Sequence, residues 1–328
     1  MTVVVLGLDA LDPDLVAEDR HPSLTLAAHR RIGTIVSETG EPATHELWPT
    51  IITGLRPADH GLVLGEGGIG WEHPALAFGA RVADRVLPDG LQSRLGAWIL
   101  DNTETDAFRT PASYYERRGI ETLFDGRAAE PIGVPNYVTD SDESDREHQL
   151  RLRLGEYLDF DPDAEHTHTT DDVVEFYERC LEMSMVRIAR ARRALRGGRY
   201  ELVFAYTSGL DLVGHVTYDQ PDVQLAAYDE LDDLVGELAA DLGDGDELLL
   251  VSDHGLQDGL HTDEAMVAGT APAMVERIES VLDIRAAVGD ALAGGTHEPT
   301  PGTHPAATDR DADGSNEVRQ QLEDLGYM

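Results

Sequence analysis

The sequence contains no lysine, so its 25 fixed basic side chains are all arginines, set against 63 aspartates and glutamates. The formal net charge of −38 is spread along the chain and not gathered in a tail. A field of that sign repels phosphate at long range, which argues against nucleic-acid polymers and anionic membranes as partners. Distributed acidity is expected of a protein adapted to high salt, where counterions screen its self-repulsion, and points to an extremely halophilic source. Cysteine is nearly absent too. The single Cys180 excludes an internal disulfide and sits in a helical pattern, VVEFYERCLEMSMVRIAR, where it reads as a small packed hydrophobe. Long apolar runs are missing, so no membrane span is expected. The opening MTVVVLGLDALDPD lacks a basic n-region and a cleavage site, and a cytoplasmic location is the expectation.

What is present is enough hydrophobic sequence, 41%, to bury a sizeable core. Strand and helix patterns alternate. Strands are expected at 2–8 and 32–37, in ELVFAYTSG, in DELLLVSDHG and in EAMVAGTAP. Helices are expected at 22–30, 170–195 and 221–240, in ASYYERRG and in PAMVERIESVL, and residues 42–54 read as a loop leading into a short helix. This alternation predicts an α/β fold with a mostly parallel sheet covered by helices on both faces. Residues 1–290 form the expected catalytic domain, with 60–170 as substrate loops or an inserted cap. Residues 291–314, rich in Gly, Pro, Thr and Asp, read as a flexible linker, and 315–328 as a C-terminal helix.

In open parallel sheets chemistry gathers beyond the carboxyl ends of the strands. Three strands here end in metal-capable residues. The first ends at Asp9. The strand before TSGLDLVGH leads to Asp211 and His215, four residues apart. LLLVSDHGLQDGLH runs into Asp253 and His254, with His261 just beyond. Carboxylate oxygens and imidazole nitrogens are ligands that Zn²⁺ and Mn²⁺ accept, and two groups of about three would hold two ions. A second Asp-His-Gly, at Asp59-His60-Gly61, follows GLRPA and no apolar strand, and reads as helix-end packing. A nucleophile is offered by EPATHELWPTIITG, where Thr44, Thr50 and Thr53 fall as a helix begins. A helix start favours an anion there, although capping is the common role of a threonine at that place.

These stretches, in this order and spacing, resemble the alkaline phosphatase superfamily, and within it the type I phosphodiesterase/nucleotide pyrophosphatase branch. The likeness covers GLDALDPDLV, EPATHELWPTIITGLRPADHG, TSGLDLVGH and LLLVSDHGLQDGLHTDEAMVAG, and VRQQLEDLGYM is similar to the ending of many archaeal members. The resemblance implies an alkaline-phosphatase-like fold and two neighbouring sites for divalent ions, Zn²⁺ with Mn²⁺ as the alternative. Asp9, Thr44, Asp253 and His254 would make one; Asp211, His215 and His261 would make the other. It implies Thr44 as the nucleophile, nine residues before Thr53, with Thr50 as the second choice, and hydrolysis of a small phosphoric ester through a phospho-threonine. His297 and His304 are later histidines in the expected linker, and Arg56, Arg109 and Arg117 are arginines that could clamp a phosphate.

Glu46 and Leu47 depart from the nucleotide pyrophosphatase pattern beside Thr44, which leaves the substrate open. Two alternatives stand next to the phosphodiesterase. One is a phosphomonoesterase or phosphotransferase acting on a small alcohol phosphate. The other is a metal-binding homologue without turnover. Oligomeric state is not legible.

Overall fold

The computed structural model describes residues 1–37, 40–63, 110–139, 154, 157, 159–160 and 168–299. A six-stranded sheet runs through its centre. Its strands are β1 (Val3–Leu8), β2 (Ala28–Gly33), β3 (Ala129–Ile132), β6 (Leu202–Thr207), β7 (Glu247–Val251) and β10 (Glu264–Gly269), in the order β2-β10-β7-β1-β6-β3. β3, β6, β1 and β7 are mutually parallel, and β10 runs antiparallel to both β7 and β2. The sheet is mostly parallel, and its central strands VVVLGL and LVFAYT are buried on both faces, which is why they read as continuous apolar runs. Two short pairs lie outside it: β4 (Asp159–Phe160) with β5 (His168–Thr169), and β8 (Gly255–Gln257) with β9 (Leu260–Thr262).

Helices cover both faces. Val4, Leu6 and Leu8 point toward α5 (Val173–Gly197), α6 (Gly209–Thr217) and α7 (Pro221–Ala240). Val3 and Val5 point the other way, toward α2 (Thr44–Thr53), α8 (Pro272–Val275) and α9 (Ile284–Gly294). The short helices α1 (Pro22–Thr25), α3 (Pro57–His60) and α4 (Ser113–Arg118) are the others among the described residues. Cys180 is buried on the inner side of α5, and burial pushes its thiol up, as befits a packed hydrophobe. Among the described residues, no helix is long and apolar enough to cross a membrane.

Three local expectations need correction. The helix expected at 22–30 stops at Thr25. Leu26 leaves the helical region at φ 50°, and 28–33 is instead the edge strand β2, pairing antiparallel with β10. Its run of exposed His29, Arg30 and Arg31 is polar because it lies on an edge, and a charged edge strand has no apolar alternation to read. The helix expected in PAMVERIESVL is one short turn, α8, and the chain then forms a 3₁₀ turn at Val281–Asp283 closed by a Ser280/Asp283 capping box before α9. The strand expected at 32–37 is displaced: β2 ends at Gly33, and beyond it only Val36 makes an isolated bridge, to Pro42, whereas the short helix expected after Pro42 is present and begins at Thr44. The expected C-terminal helix, His304 and most of the linker lie outside the described residues, as does much of 60–170.

The second Asp-His-Gly is structural. His60 is fully buried against α2; its Nε2 lies 3.2 Å from the Glu46 carbonyl and 3.1 Å from Thr50 Oγ1, while Nδ1 accepts from Leu62 N–H at 3.2 Å. Burial pushes its pKa down to about 4.

Trp48 of α2 packs directly on the sheet at Gly7. A Cβ there would stand 2.6 Å from the Trp48 ring. Gly7→Ala is expected to lower stability by about 1–3 kcal/mol, the usual cost of overpacking, read as a fall in the thermal midpoint. An unchanged midpoint would mean that Trp48 has room to move.

Candidate metal centre and active site

Four elements end at one place. β1 delivers Asp9. β6 ends at Thr207 and turns into α6, whose i and i+4 positions put Asp211 and His215 on one face. β7 delivers Asp253 and His254. The hairpin β8–β9 then folds back over the sheet edge and brings His261. It turns through Asp258 and Gly259, both at positive φ (51° and 76°), the two-residue turn for which Asp-Gly is suited. Gly255, which opens it, has no room for a side chain: a Cβ would lie 2.6 Å from both Asp12 Oδ2 and Thr262 Oγ1. Asp12 accepts from Leu256 N–H at 2.9 Å and so fastens the hairpin to the loop after β1.

The seven expected residues meet. Thr44 Oγ1 is 3.1 Å from His254 Nε2 and 3.5 Å from Asp9 Oδ1. His254 Nε2 is 3.3 Å from Asp9 Oδ1 and 3.5 Å from Asp253 Oδ2. On the other side, Asp211 Oδ1 lies 3.2 Å from His215 Nε2 and 3.4 Å from His261 Nε2, and those two nitrogens are only 2.9 Å apart. His261 also stacks on His254, with ring centroids 3.9 Å apart. Two groups have donor atoms all within 4.8 Å of one another: Asp211, His215 and His261, and Asp9, Asp211 and His254. Asp211 belongs to both.

The hydrogen bonds around this cluster decide which way its lone pairs point. His215 Nδ1 faces the Gly259 carbonyl at 3.0 Å, His261 Nδ1 the Pro42 carbonyl at 2.8 Å, and His254 Nδ1 the Gly255 carbonyl at 3.1 Å. A carbonyl oxygen only accepts, so each Nδ1 carries a hydrogen and each Nε2 faces inward, as a lone pair whenever the ring is neutral. Neither oxygen of Asp253, at 0% exposure, receives a hydrogen bond from a nitrogen donor, and Asp211 Oδ1 faces the Nε2 atoms of His215 and His261. Among the described residues no arginine pairs with Asp9, Asp211 or Asp253. Three imidazole nitrogens and three carboxylates therefore converge, with Asp9, Asp253 and His254 buried and Asp211, His215 and His261 half-buried, and no fixed cation among the described residues joins them. That donor set, hard oxygen with borderline nitrogen, fits divalent first-row ions.

Proton affinities register the crowding. Burial, with the charge of Asp211, pushes Asp9 up to about 6, and burial and Asp9 push Asp253 well above the carboxylate range. Burial pushes His254 down to about 3, keeping it neutral. Burial also opposes charge on His261, but the hydrogen bond and charge of Asp211 outweigh it and raise the group to about 9.

Other candidates fall elsewhere. Thr50 and Thr53 are buried within α2, and their hydroxyls donate to the carbonyls of Glu46 and Pro49, so neither faces the cluster. His297 Nδ1 faces the Met1 carbonyl. Arg56 is exposed, and Arg117 bonds Ser113 on its own helix. Arg109 lies outside the described residues. One residue at the site was not anticipated from sequence. Tyr206, 1% exposed and wedged at 4.8 Å against Trp48, donates its hydroxyl to Asp9 Oδ2 and leaves Oδ1 to face the cluster. Its only sequence signal is an aromatic with a polar tip at the end of a buried strand.

Fold and cluster together define a class: an α/β protein with a candidate cation centre beside a helix-borne hydroxyl. A family model described as type I phosphodiesterase / nucleotide pyrophosphatase matches residues 3–320, and the chain belongs to that family. By family it is a phosphoric ester hydrolase. No curated protein matches it. Among solved structures it is similar to phosphonoacetate hydrolase from Sinorhizobium meliloti 1021, at 15% identity over 78% of this chain and 56% of that one, with a TM-score of 0.42. It is similar to murine ectonucleotide pyrophosphatase/phosphodiesterase 5, at 16% identity over 78% of this chain and 57% of that one, with a TM-score of 0.40. It is also similar to alkaline phosphatase from the Antarctic bacterium TAB5, at 13% identity over 89% and 97%, with a TM-score of 0.46. The chain spans just over half the length of the first two.

The crowding has a cost in stability. Asp253→Asn replaces a carboxyl that must either take up a proton or stay charged in this buried place, and supplies an amide donor beside Asp9. In chelator-treated protein it is expected to raise stability by about 1–3 kcal/mol, the scale of one unsatisfied buried polar group, seen as a higher thermal midpoint. A lower midpoint would show that Asp253 has a stabilising partner of its own.

Proposed function

We propose that the chain hydrolyses a small phosphoric ester of the diester or pyrophosphate type, with Thr44 as nucleophile and two divalent ions as cofactors. Asp9, Asp253 and His254, with Thr44, would hold one ion; Asp211, His215 and His261 would hold the other. The observation that carries this reading is the inward convergence of carboxylate and imidazole atoms around one hydroxyl. Zn²⁺ is the preferred ion on the strength of three imidazoles, with Mn²⁺ second.

When bound, the ions neutralise phosphoryl charge and acidify a hydroxyl. The chain's own residues do the rest. Thr44 opens α2, where the positive end of the helix dipole favours a phosphoryl group. His254 and Asp9 orient the Thr44 hydroxyl. Its Oγ1 forms a bond to phosphorus as the bond from phosphorus to the leaving alcohol oxygen breaks, and the alcohol departs with a proton. Water then attacks the phospho-threonine, restores the Thr44 hydroxyl and releases the phosphate. The carbonyls of Gly259, Pro42 and Gly255 keep the three rings in one tautomer throughout. A net charge of −38 repels an anionic substrate at long range, so salt that screens that field aids encounter.

Metal-replete protein in molar KCl is expected to turn over bis-p-nitrophenyl phosphate faster than p-nitrophenyl phosphate. Thr44→Ala is expected to lower kcat by about a thousandfold or more while metal content stays the same. A strong preference for the monoester would move the assignment to a phosphomonoesterase or phosphotransferase. No hydrolysis of either ester, with metal bound and Thr44→Ala indistinguishable from the parent, would leave a metal-binding protein without turnover.

A further inference from the structure

The helix that carries Thr44 has a gap in its own hydrogen bonding. In a regular helix the carbonyl of His45 accepts from the backbone N–H of residue 49. Residue 49 is Pro49, inside α2, and it has no N–H to give. The carbonyl left over is in the first turn, one residue from the Thr44 hydroxyl. A backbone acceptor in such a place needs a donor from elsewhere.

That donor comes from 91 residues away. Asn136 Nδ2 donates to the His45 carbonyl at 2.9 Å. Asn136 follows the carboxyl end of β3, is 1% exposed and holds φ at 57°, a left-handed conformation that asparagine tolerates better than most residues. Its side chain can be oriented only one way. Oδ1 accepts from Thr110 N–H at 3.3 Å and from Thr110 Oγ1 at 2.9 Å, so the amide hydrogens must face His45. Its own carbonyl is held by the Tyr115 hydroxyl at 2.8 Å, and Tyr115 is itself buried in α4. All the polar groups of the Asn136 side chain are thus engaged, and one of them replaces the bond that Pro49 removes.

We propose that Asn136 is a positioning residue: it closes the first turn of α2 in place of the missing residue-49 N–H and so fixes Thr44 against His254 and Asp9. This rests on the reading of Thr44 as nucleophile. The six carboxylate and imidazole groups sit on other segments and supply most of the ion-holding atoms, so the loss of Asn136 acts on attack far more than on metal binding. A displacement of the nucleophile by about an ångström costs on the order of a hundredfold in rate.

Two substitutions and one compensating change test it in the full-length, metal-loaded protein. Asn136→Asp keeps the acceptor for Thr110 but sets an oxygen against the His45 carbonyl. Asn136→Gly keeps the backbone conformation and removes the side chain. Each is expected to lower kcat for bis-p-nitrophenyl phosphate by about 10- to 100-fold with KM and Zn²⁺ affinity little changed. Pro49→Ala returns an N–H to the helix. Alone it keeps the parent kcat, and combined with Asn136→Gly it restores most of the lost kcat. A purely structural role would lower the thermal midpoint without touching kcat, and that result overturns the proposal; so does a loss of kcat that Pro49→Ala does not repair. Should the parent and Thr44→Ala hydrolyse nothing, the reading of the site falls separately. Urea unfolding then decides for Asn136: strictly additive effects of Asn136→Gly and Pro49→Ala overturn it, and a double variant more stable than their sum supports it.

Discussion

Everything in this molecule's candidate site follows from one constraint: carboxylates and imidazoles are driven together in a largely buried place that, among the described residues, no arginine reaches. Asp253 is wholly buried with no nitrogen donor on either oxygen, and two Nε2 atoms meet at 2.9 Å over Asp211. A folded chain keeps such an arrangement only if something positive offsets it or the rest of the fold holds it by force. The acidic composition sharpens the point, since the protein's general field opposes an anionic substrate and only a local cation could reverse it.

The fold answers by over-determining the geometry. Buried parallel strands fix where Asp9 and Asp253 leave the sheet. α6 fixes the spacing of Asp211 and His215. Three backbone carbonyls fix the imidazole tautomers, Tyr206 takes one oxygen of Asp9, and Asp12 fastens the hairpin that brings His261. The same logic reaches the helix of Thr44, where Pro49 offers no N–H to the ladder and the distant Asn136 donates to the His45 carbonyl. These supports come from backbone atoms and from single polar groups far off in sequence.

That division explains what could be read in advance. The α/β class was legible because VVVLGL, LVFAYT and ELLLV are apolar on both faces, and the metal-capable residues were legible because they stand where those runs end. The extent of α7 was clear from its Pro221 start and apolar spacing. The edge strand β2 was not, because its exposed arginines and histidine hide the period-2 pattern. The hairpin β8–β9 was not, because three-residue strands carry almost no pattern, although the Asp258-Gly259 step is the usual sign of such a turn. Tyr206, Asp12 and Asn136 were invisible for a different reason: their role depends on which distant backbone group they meet, and local spacing does not encode that.

The most direct test of the account is anomalous diffraction at the zinc edge from crystals grown with Zn²⁺. It predicts two neighbouring peaks, one among Asp9, Asp253 and His254 and one among Asp211, His215 and His261, with Thr44 Oγ1 facing the first. A single peak, or none at this edge of the sheet, would contradict it.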